Sequence, residues 1–164
     1  MNLRNFKPYE FDLRPHGGED WWPMMDQRVL EFLQGTRDRH GDIIKISPHR
    51  GALGRRLGPS STSDHNVDLH GTVRCADVFP TGVDTPAKAR IFIDHAINAG
   101  FNSIGVYPHW RNGLGQQQCG FHLGYRPGLG RVARWGFVRD TLSGPQQMVA
   151  QDVALAVVGV RIPA

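Results

Sequence analysis

The sequence predicts an α+β fold, a small and mainly antiparallel sheet with helices packed on one face and the other face open. Two segments carry apolar residues at helical spacing, residues 21–39 and residues 85–100. Four shorter segments have the alternating or apolar pattern of strands. The length of 164 residues is typical of one domain, so we predict a single unit over residues 1–164.

The first predicted helix covers residues 21–39, and Asp20 and Pro23 are typical of a helix start. Its apolar residues recur at helical spacing: Trp22, Met25, Val29, Phe32 and Leu33. A short strand is predicted at residues 42–47, and a long loop then runs to Asn66. Loops of this length in a compact domain usually serve a function.

The second predicted helix has Thr85 as its cap and Pro86 in its first turn, and Gly100 ends it. Further strands are predicted at residues 72–79, 103–107 and 120–126. The C-terminal residues are rich in Val and Ala without a clear period, so residues 140–164 are interpreted as a tail that could dock to another chain.

Three polar residues, His65, Asp77 and His122, are candidate metal ligands. His65 lies in the long loop, whereas Asp77 and His122 lie in predicted strands, with Asp77 on the face opposite its neighbours Ala76 and Val78. Two imidazoles and one carboxylate can hold Zn²⁺ in three directions and leave the fourth for water, as catalytic zinc sites do. The chain has eight histidines, so a pair of them does not by itself identify a metal site.

The motifs around these residues resemble a known family. They are Ser63-x-His65-Asn66, Gly71-x-Val73-Arg74-x-Ala76-Asp77-Val78-x-Pro80, Ile104-Gly105-Val106-Tyr107-Pro108-x-Trp110 and Gly120-Phe121-His122. In this order, over residues 43–136, they resemble the phage branch of the zinc D-Ala-D-Ala carboxypeptidases and L-alanyl-D-glutamate endopeptidases, which cleave the peptide stems of bacterial peptidoglycan. The resemblance implies a zinc metallopeptidase with His65, Asp77 and His122 as its ligands.

His70 is an alternative ligand, because it lies seven residues before Asp77, the spacing of the shorter version of the family's signature. We prefer His65, which carries the Ser-x-His-Asn context. The resemblance also implies that Arg50 faces the site, where a guanidinium could grip a substrate carboxylate or stabilise an oxyanion. The alternative for Arg50 is a solvated role in a basic loop.

The general base of the resembling family is missing from its usual positions. Relatives often place a Glu or a His three or two residues before the last ligand, where this chain has Cys119 and Gly120. His109 is the best substitute, because imidazole titrates near neutral pH and the loop after residues 103–107 should lie on the site's side. A surface histidine without a catalytic role is the alternative.

Composition limits the partners. The net charge of +4 comes from dispersed arginines rather than a basic stripe, so we predict no nucleic-acid binding and a surface suited to an anionic cell wall. Asp64-His65-Asn66 alone is compatible with a small metal-dependent nuclease, but the required helix and second histidine at close spacing are missing. No apolar run approaches the roughly 20 residues of a membrane span.

The N-terminus lacks the apolar core of a secretory signal, which predicts synthesis in the host cytoplasm. A phage product could still reach the wall after lysis or as part of a virion. Cys75 and Cys119 are expected to be reduced and buried.

Two functions are therefore compatible with the sequence. The first is zinc-dependent hydrolysis of peptide bonds in peptidoglycan stems. The second is a catalytically weak or inactive virion component or wall-binding module that keeps the zinc fold and contacts other phage proteins.

Overall fold

A computed structural model describes residues 3–164 and has the predicted α+β fold. The strands are β1 (Ile44–Ile46), β2 (Cys75–Pro80), β3 (Ser103–Arg111), β4 (Gln117–Gly124), β5 (Ala133–Val138) and β6 (Gln147–Val149). They form one sheet in the order β1-β2-β4-β3-β5-β6, antiparallel except between β3 and β5. The helices are α1 (Gln27–His40), the single turn α2 (Val67–His70), α3 (Pro86–Ala99) and α4 (Gln151–Ala156).

The core lies between the sheet and the helices α1, α3 and α4. In α3, the ring of Phe92 packs 4.7 Å from that of Phe121 on β4, and both side chains are fully buried. Successive strand residues point to opposite faces of a sheet, so Phe121 on the helix side places its neighbour His122 on the other side. Asp77 is paired with His122 across β2 and β4 and shares that open face.

The predicted start of the first helix was wrong. Residues Trp22–Met24 form a short 3₁₀ helix, and α1 begins only at Gln27. The backbone around Met25 pairs with Val73, since Val73 N donates to Met24 O (2.8 Å) and Asp26 N donates to Val73 O (3.0 Å). The Asp26 carboxylate then caps α1 by accepting from Arg28 N at 2.9 Å.

The second helix is confirmed at both ends. Thr85 caps α3, because its hydroxyl accepts from Lys88 N at 3.3 Å, and Pro86 occupies the first turn. Gly100 ends the helix with φ of +124°, a conformation that side chains rarely adopt. A Cβ at Gly100 would also lie 2.4 Å from the ring of Phe32.

The C-terminal segment is part of the domain's own core. Strand β6 extends the edge of the sheet beside β5, and α4 packs against β3 and β5. Ala154, Leu155 and Val158 are buried, and the Gln151 amide donates to Ile104 O at 3.3 Å. Docking of this tail to another chain stays a prediction. Within residues 3–164, no helix has the length and apolar character needed to cross a membrane.

Candidate metal centre

The long loop before α2 is fastened to strand β2 and to His65. Asp77 N donates to Ala52 O at 2.7 Å, and Arg55 N donates to His65 O at 2.7 Å. The His65 ring lies against the same loop, with Nδ1 2.6 Å from Leu53 O. These bonds fix the backbone and the ring of His65, although the segment contains no long strand or helix.

Three side chains meet at the centre of the open face. His122 Nδ1 lies 3.1 Å from Asp77 Oδ1 and 3.1 Å from His65 Nε2. His65 Nε2 lies 3.5 Å from Asp77 Oδ1. The structure thus brings together the three residues that the sequence analysis named, and all three are buried.

The outer bonds of the two rings determine which nitrogens carry hydrogen when the rings are neutral. Leu53 O can only accept, so His65 Nδ1 is the protonated nitrogen and Nε2 carries a lone pair. The Asp64 carboxylate lies 3.2 Å from His122 Nε2, which leaves the lone pair of that ring on Nδ1. Three electron-rich atoms, His65 Nε2, His122 Nδ1 and Asp77 Oδ1, therefore converge on one point. Only a cation or shared protons can offset the repulsion between them.

Asp64 is itself held by other residues of the open face. Its Oδ2 accepts from the Ser103 hydroxyl at 2.7 Å, and its Oδ1 accepts from Arg126 Nε at 2.7 Å. Gly124 makes room for this network, since a Cβ there would lie 2.8 Å from Asp64 Oδ2 and 2.9 Å from His122 Nε2. A carboxylate that orients a histidine from behind is the usual partner of a metal-binding imidazole.

The charges of the cluster stabilise one another. Burial opposes the charged form of His65, but Cys75 and Asp77 beside it raise its pKa to about 10. Burial also opposes the charged form of His122, whose pKa is raised to about 9 by Asp64 and Asp77. Despite their burial, the two carboxyl groups have pKa values below their usual range because of these histidines. A metal ion would have to displace the ring protons.

Cys75 is a fourth group near the same point. Its sulfur and one nitrogen from each of His65 and His122 lie within 4.8 Å of one another, so these buried residues could hold a metal ion. The Cys75 thiol is 3.7 Å from Leu53 O, and burial raises its pKa. Asp77 Oδ1 is also within 3.5 Å of both lone-pair nitrogens, so it is a further candidate for the third ligand.

A cleft of about 300 Å³ opens onto the cluster. Its walls carry four aromatic side chains, two cations and an amide: Tyr107, Trp110, Trp135, Phe137, Arg55, Arg126 and Gln146. The Tyr107 ring stacks on Trp110 at 3.8 Å between centroids and on Phe137 at 5.4 Å. The metal-capable cluster is thus reached through an aromatic cleft with positive charge at its rim.

Two predicted site residues lie elsewhere. Arg50 is exposed and lines a neighbouring cleft, whereas the arginines that line the cleft of the cluster are Arg55 and Arg126. His109 is buried beside Arg139, whose backbone N–H donates to His109 Nδ1 at 3.3 Å, and it does not line the cleft. Neither Arg50 nor His109 lines the cleft of the cluster, where β3 contributes Tyr107 and Trp110, and their catalytic roles stay predictions.

The alternative ligand His70 is also outside the cluster. Its Nε2 lies 3.0 Å from Ser63 O, and its Nδ1 lies 3.3 Å from the Arg74 guanidinium. No motif in the sequence predicted a role for Asp64, Ser103 or Arg126. The only sequence signal for Asp64 is its position directly before the candidate ligand His65.

Comparison with known proteins returns no match to a family model, to a curated protein or to a solved structure.

Proposed function

We propose that this protein is a zinc-dependent peptidase that hydrolyses peptide bonds in the stems of bacterial peptidoglycan. The observation that carries the proposal is the convergence of two imidazole lone pairs and one carboxylate oxygen at the floor of an open cleft. The motif resemblance described above supplies the substrate class. On this proposal, phage lysis or a virion would bring the protein to the wall.

The donor set suits zinc. Nitrogen from imidazole and oxygen from carboxylate are ordinary zinc ligands, and an ion with three protein ligands keeps one position for water or substrate. His65, Asp77 and His122 would hold the ion. When bound, zinc would lower the pKa of a water molecule and polarise the carbonyl group of the scissile bond.

The other residues of the cleft bind and orient the substrate in this proposal. Arg55 and Arg126 line it, and a guanidinium can hold a carboxylate or a developing oxyanion. Arg126 Nε is bound to the Asp64 carboxylate, whereas Arg55 Nε is bound only to the backbone oxygen of Gly51, so the charge of Arg55 is not offset by a carboxylate. The stacked rings of Tyr107 and Trp110 form an apolar wall of the cleft.

A general base with free capacity does not line the cleft among the residues that the structure describes. Asp64 is bound to His122, Ser103 and Arg126. Burial raises the pKa of Tyr107, so its phenol stays protonated near neutral pH and cannot accept a proton from water. General-base assistance is typically worth about a hundredfold or more in rate, so we expect slow hydrolysis.

A second function is favoured by the position of Cys75. If its thiolate joined His65, Asp77 and His122, the ion would have four protein ligands and no open position, as structural zinc has. The protein would then be an inactive module of a phage virion or a wall-binding protein. The two functions require different ligand sets.

Metal analysis of two variants distinguishes these sets. For the peptidase, we expect one zinc per chain, nearly complete loss of zinc in Asp77→Asn, and full occupancy in Cys75→Ser. For the closed centre, Cys75→Ser should bind zinc much more weakly. Absence of zinc from the unaltered protein under saturating conditions would contradict both functions.

Activity decides between them directly. Purified peptidoglycan and a soluble stem peptide are incubated with the zinc-loaded protein, and new amino groups are measured. We expect slow release that stops with a chelator and returns with zinc, and no release by Asp77→Asn. Full zinc occupancy without release on any wall preparation would contradict the peptidase and favour the binding module.

A further inference from the structure

A second cleft adjoins the cleft of the metal centre. It encloses about 430 Å³ and is lined by residues of the N-terminal segment, Gly17, Gly18, Glu19 and Trp21, and by residues of the long loop, including His49, Arg50 and Arg56. Arg55 lines both clefts. The two clefts therefore adjoin each other at Arg55.

The second cleft has excess positive charge. Arg56 is neutralised, because its guanidinium lies 3.2 Å from Glu19 and 3.5 Å from Asp68. Arg50, in contrast, is exposed and makes no side-chain hydrogen bond or ion pair with residues 3–164. Arg55 bonds through Nε only, to Gly51 O at 2.9 Å, which leaves its terminal nitrogens free. Two unpaired guanidinium groups thus line the same cleft.

Arg55 is held at the boundary between the clefts. Its backbone N–H is bonded to His65 O, and its side chain lies against Gly51, where a Cβ would be 2.4 Å from Arg55 Nε. Any side chain at position 51 would displace the guanidinium. The position of Arg55 is thus tied to the loop that carries the first candidate ligand, so a carboxylate bound by Arg55 has a defined place relative to His65.

The rest of the lining includes Glu19, which is paired with Arg56, and Trp21. Trp21 is almost fully buried, and its indole N–H has no hydrogen-bond partner in the described part of the chain. Gly54 lies against this ring, with room for no side chain, since a Cβ would be 2.5 Å from it. A cleft with two guanidinium groups that no carboxylate pairs, and with several glycines in its lining, suits an extended backbone that carries carboxylates.

We propose that the second cleft is a subsite for an acidic peptide segment of the same molecule whose scissile bond lies in the metal cleft, with Arg50 and Arg55 binding its carboxylates. The identification of the peptide as a peptidoglycan stem rests on the proposed function. The substrate then needs at least one carboxylate beyond the residues next to the cleaved bond, and a dipeptide cannot use the subsite.

Binding of an uncleavable peptide tests the subsite without turnover. The probe is a five-residue stem peptide with N-methylated amide bonds, and its control has every carboxylate amidated. Calorimetric titration of the zinc-loaded full chain should give binding of the acidic form that is about tenfold weaker in Arg50→Gln, the size expected for one charge-assisted contact. Arg131→Gln changes a similarly exposed and unpaired arginine and should bind as the unaltered protein does.

The outcomes separate the subsite from the peptidase. Equal affinities of the acidic and amidated peptides, or equal affinities of Arg50→Gln and Arg131→Gln, would overturn the subsite. If Arg50→Gln hydrolyses long stems as fast as the unaltered protein does, the subsite is contradicted and the peptidase is not. If binding depends on Arg50 but no wall preparation is hydrolysed, the peptidase is contradicted and the subsite is not.

Discussion

At the residue scale, the least expected member of the site is Asp64. Its two oxygens join three partners, His122, Ser103 and Arg126, within 3.2 Å. The bond to His122 Nε2 directs the lone pair on Nδ1 toward Asp77 and His65. Asp64 therefore acts on the metal through His122 rather than by contact, which makes it a positioning residue.

We predict that Asp64→Asn weakens zinc binding by about 10–100-fold, the usual cost of losing such a partner. The amide keeps the shape of the side chain but lacks the negative charge of the carboxylate. It therefore stabilises the Nε2–H tautomer of His122 less well. Competition with a chromogenic chelator measures the affinity, and Asp140→Asn, at an exposed site without side-chain hydrogen bonds, is the control. Unchanged affinity in Asp64→Asn would mean that other contacts orient His122.

The arginines of the loop illustrate the limit of residue-by-residue reasoning. Arg50 and Arg55 lie in the same basic segment, and both have the chemistry for binding a carboxylate. Only the folded loop distinguishes them, because Arg55 pairs through its backbone with His65 and lines the cleft of the cluster. Five residues of separation are enough to place Arg50 in a different cleft.

At the scale of elements, the close contact between β5 and α4 decides how the C-terminal segment folds. Gly136 on β5 leaves space for Ala154 on α4, since a Cβ at position 136 would lie 2.3 Å from the Ala154 Cβ. The same Cβ would lie 3.2 Å from Val106 O on β3. This contact allows α4 to lie directly on the sheet.

We predict that Gly136→Ala lowers the free energy of unfolding by about 1–3 kcal/mol, the usual cost of an overpacked core. Urea unfolding followed by tryptophan fluorescence measures the change. Gly130→Ala is the matched control, because a Cβ there meets no atom within 4 Å, and its effect should stay within about 0.5 kcal/mol. Equal stability of the two variants would show that α4 moves away at little cost.

At the scale of the whole molecule, the buried charges of the metal centre couple folding, protons and metal. The metal-free protein has His65 with a pKa of about 10 and His122 with a pKa of about 9, both above the ordinary value near 6.5. Their contribution to stability is complete below pH 6.5 and is lost as the pH rises through 9 and 10. The pKa values of Asp64 and Asp77 are lowered, so their contribution to stability is lost only as the pH falls below 3.8, the ordinary pKa of an aspartate.

We therefore predict opposite pH trends for the two forms. The free energy of unfolding of the metal-free protein should fall between pH 6.5 and 10, whereas the increase in stability on adding zinc should grow with pH. Below the pKa of a ring, zinc must displace one proton from that ring. The zinc affinity should therefore rise about tenfold per pH unit for each such ring. Urea unfolding with and without zinc measures both trends. A zinc effect that is constant from pH 6 to 8 would contradict this coupling.

The sequence alone determined the fold class, the helix from Pro86 to Ala99 and the choice of His65, Asp77 and His122 as candidates. These depend on local signals, such as the Thr85 cap, strand alternation and motif spacing. It misplaced the start of α1, because the pairing of Met25 with Val73 joins segments far apart in the chain.

Only the tertiary structure decided which polar groups share the site. It placed Arg55, and not Arg50 or His109, in the lining of the cleft, and it brought Asp64, Ser103 and Arg126 behind His122. It also brought Cys75 close to the two histidines. The physical reason is that side-chain direction in a loop, and distance between strands, follow from packing across the whole sheet and not from the residues near each position in the chain.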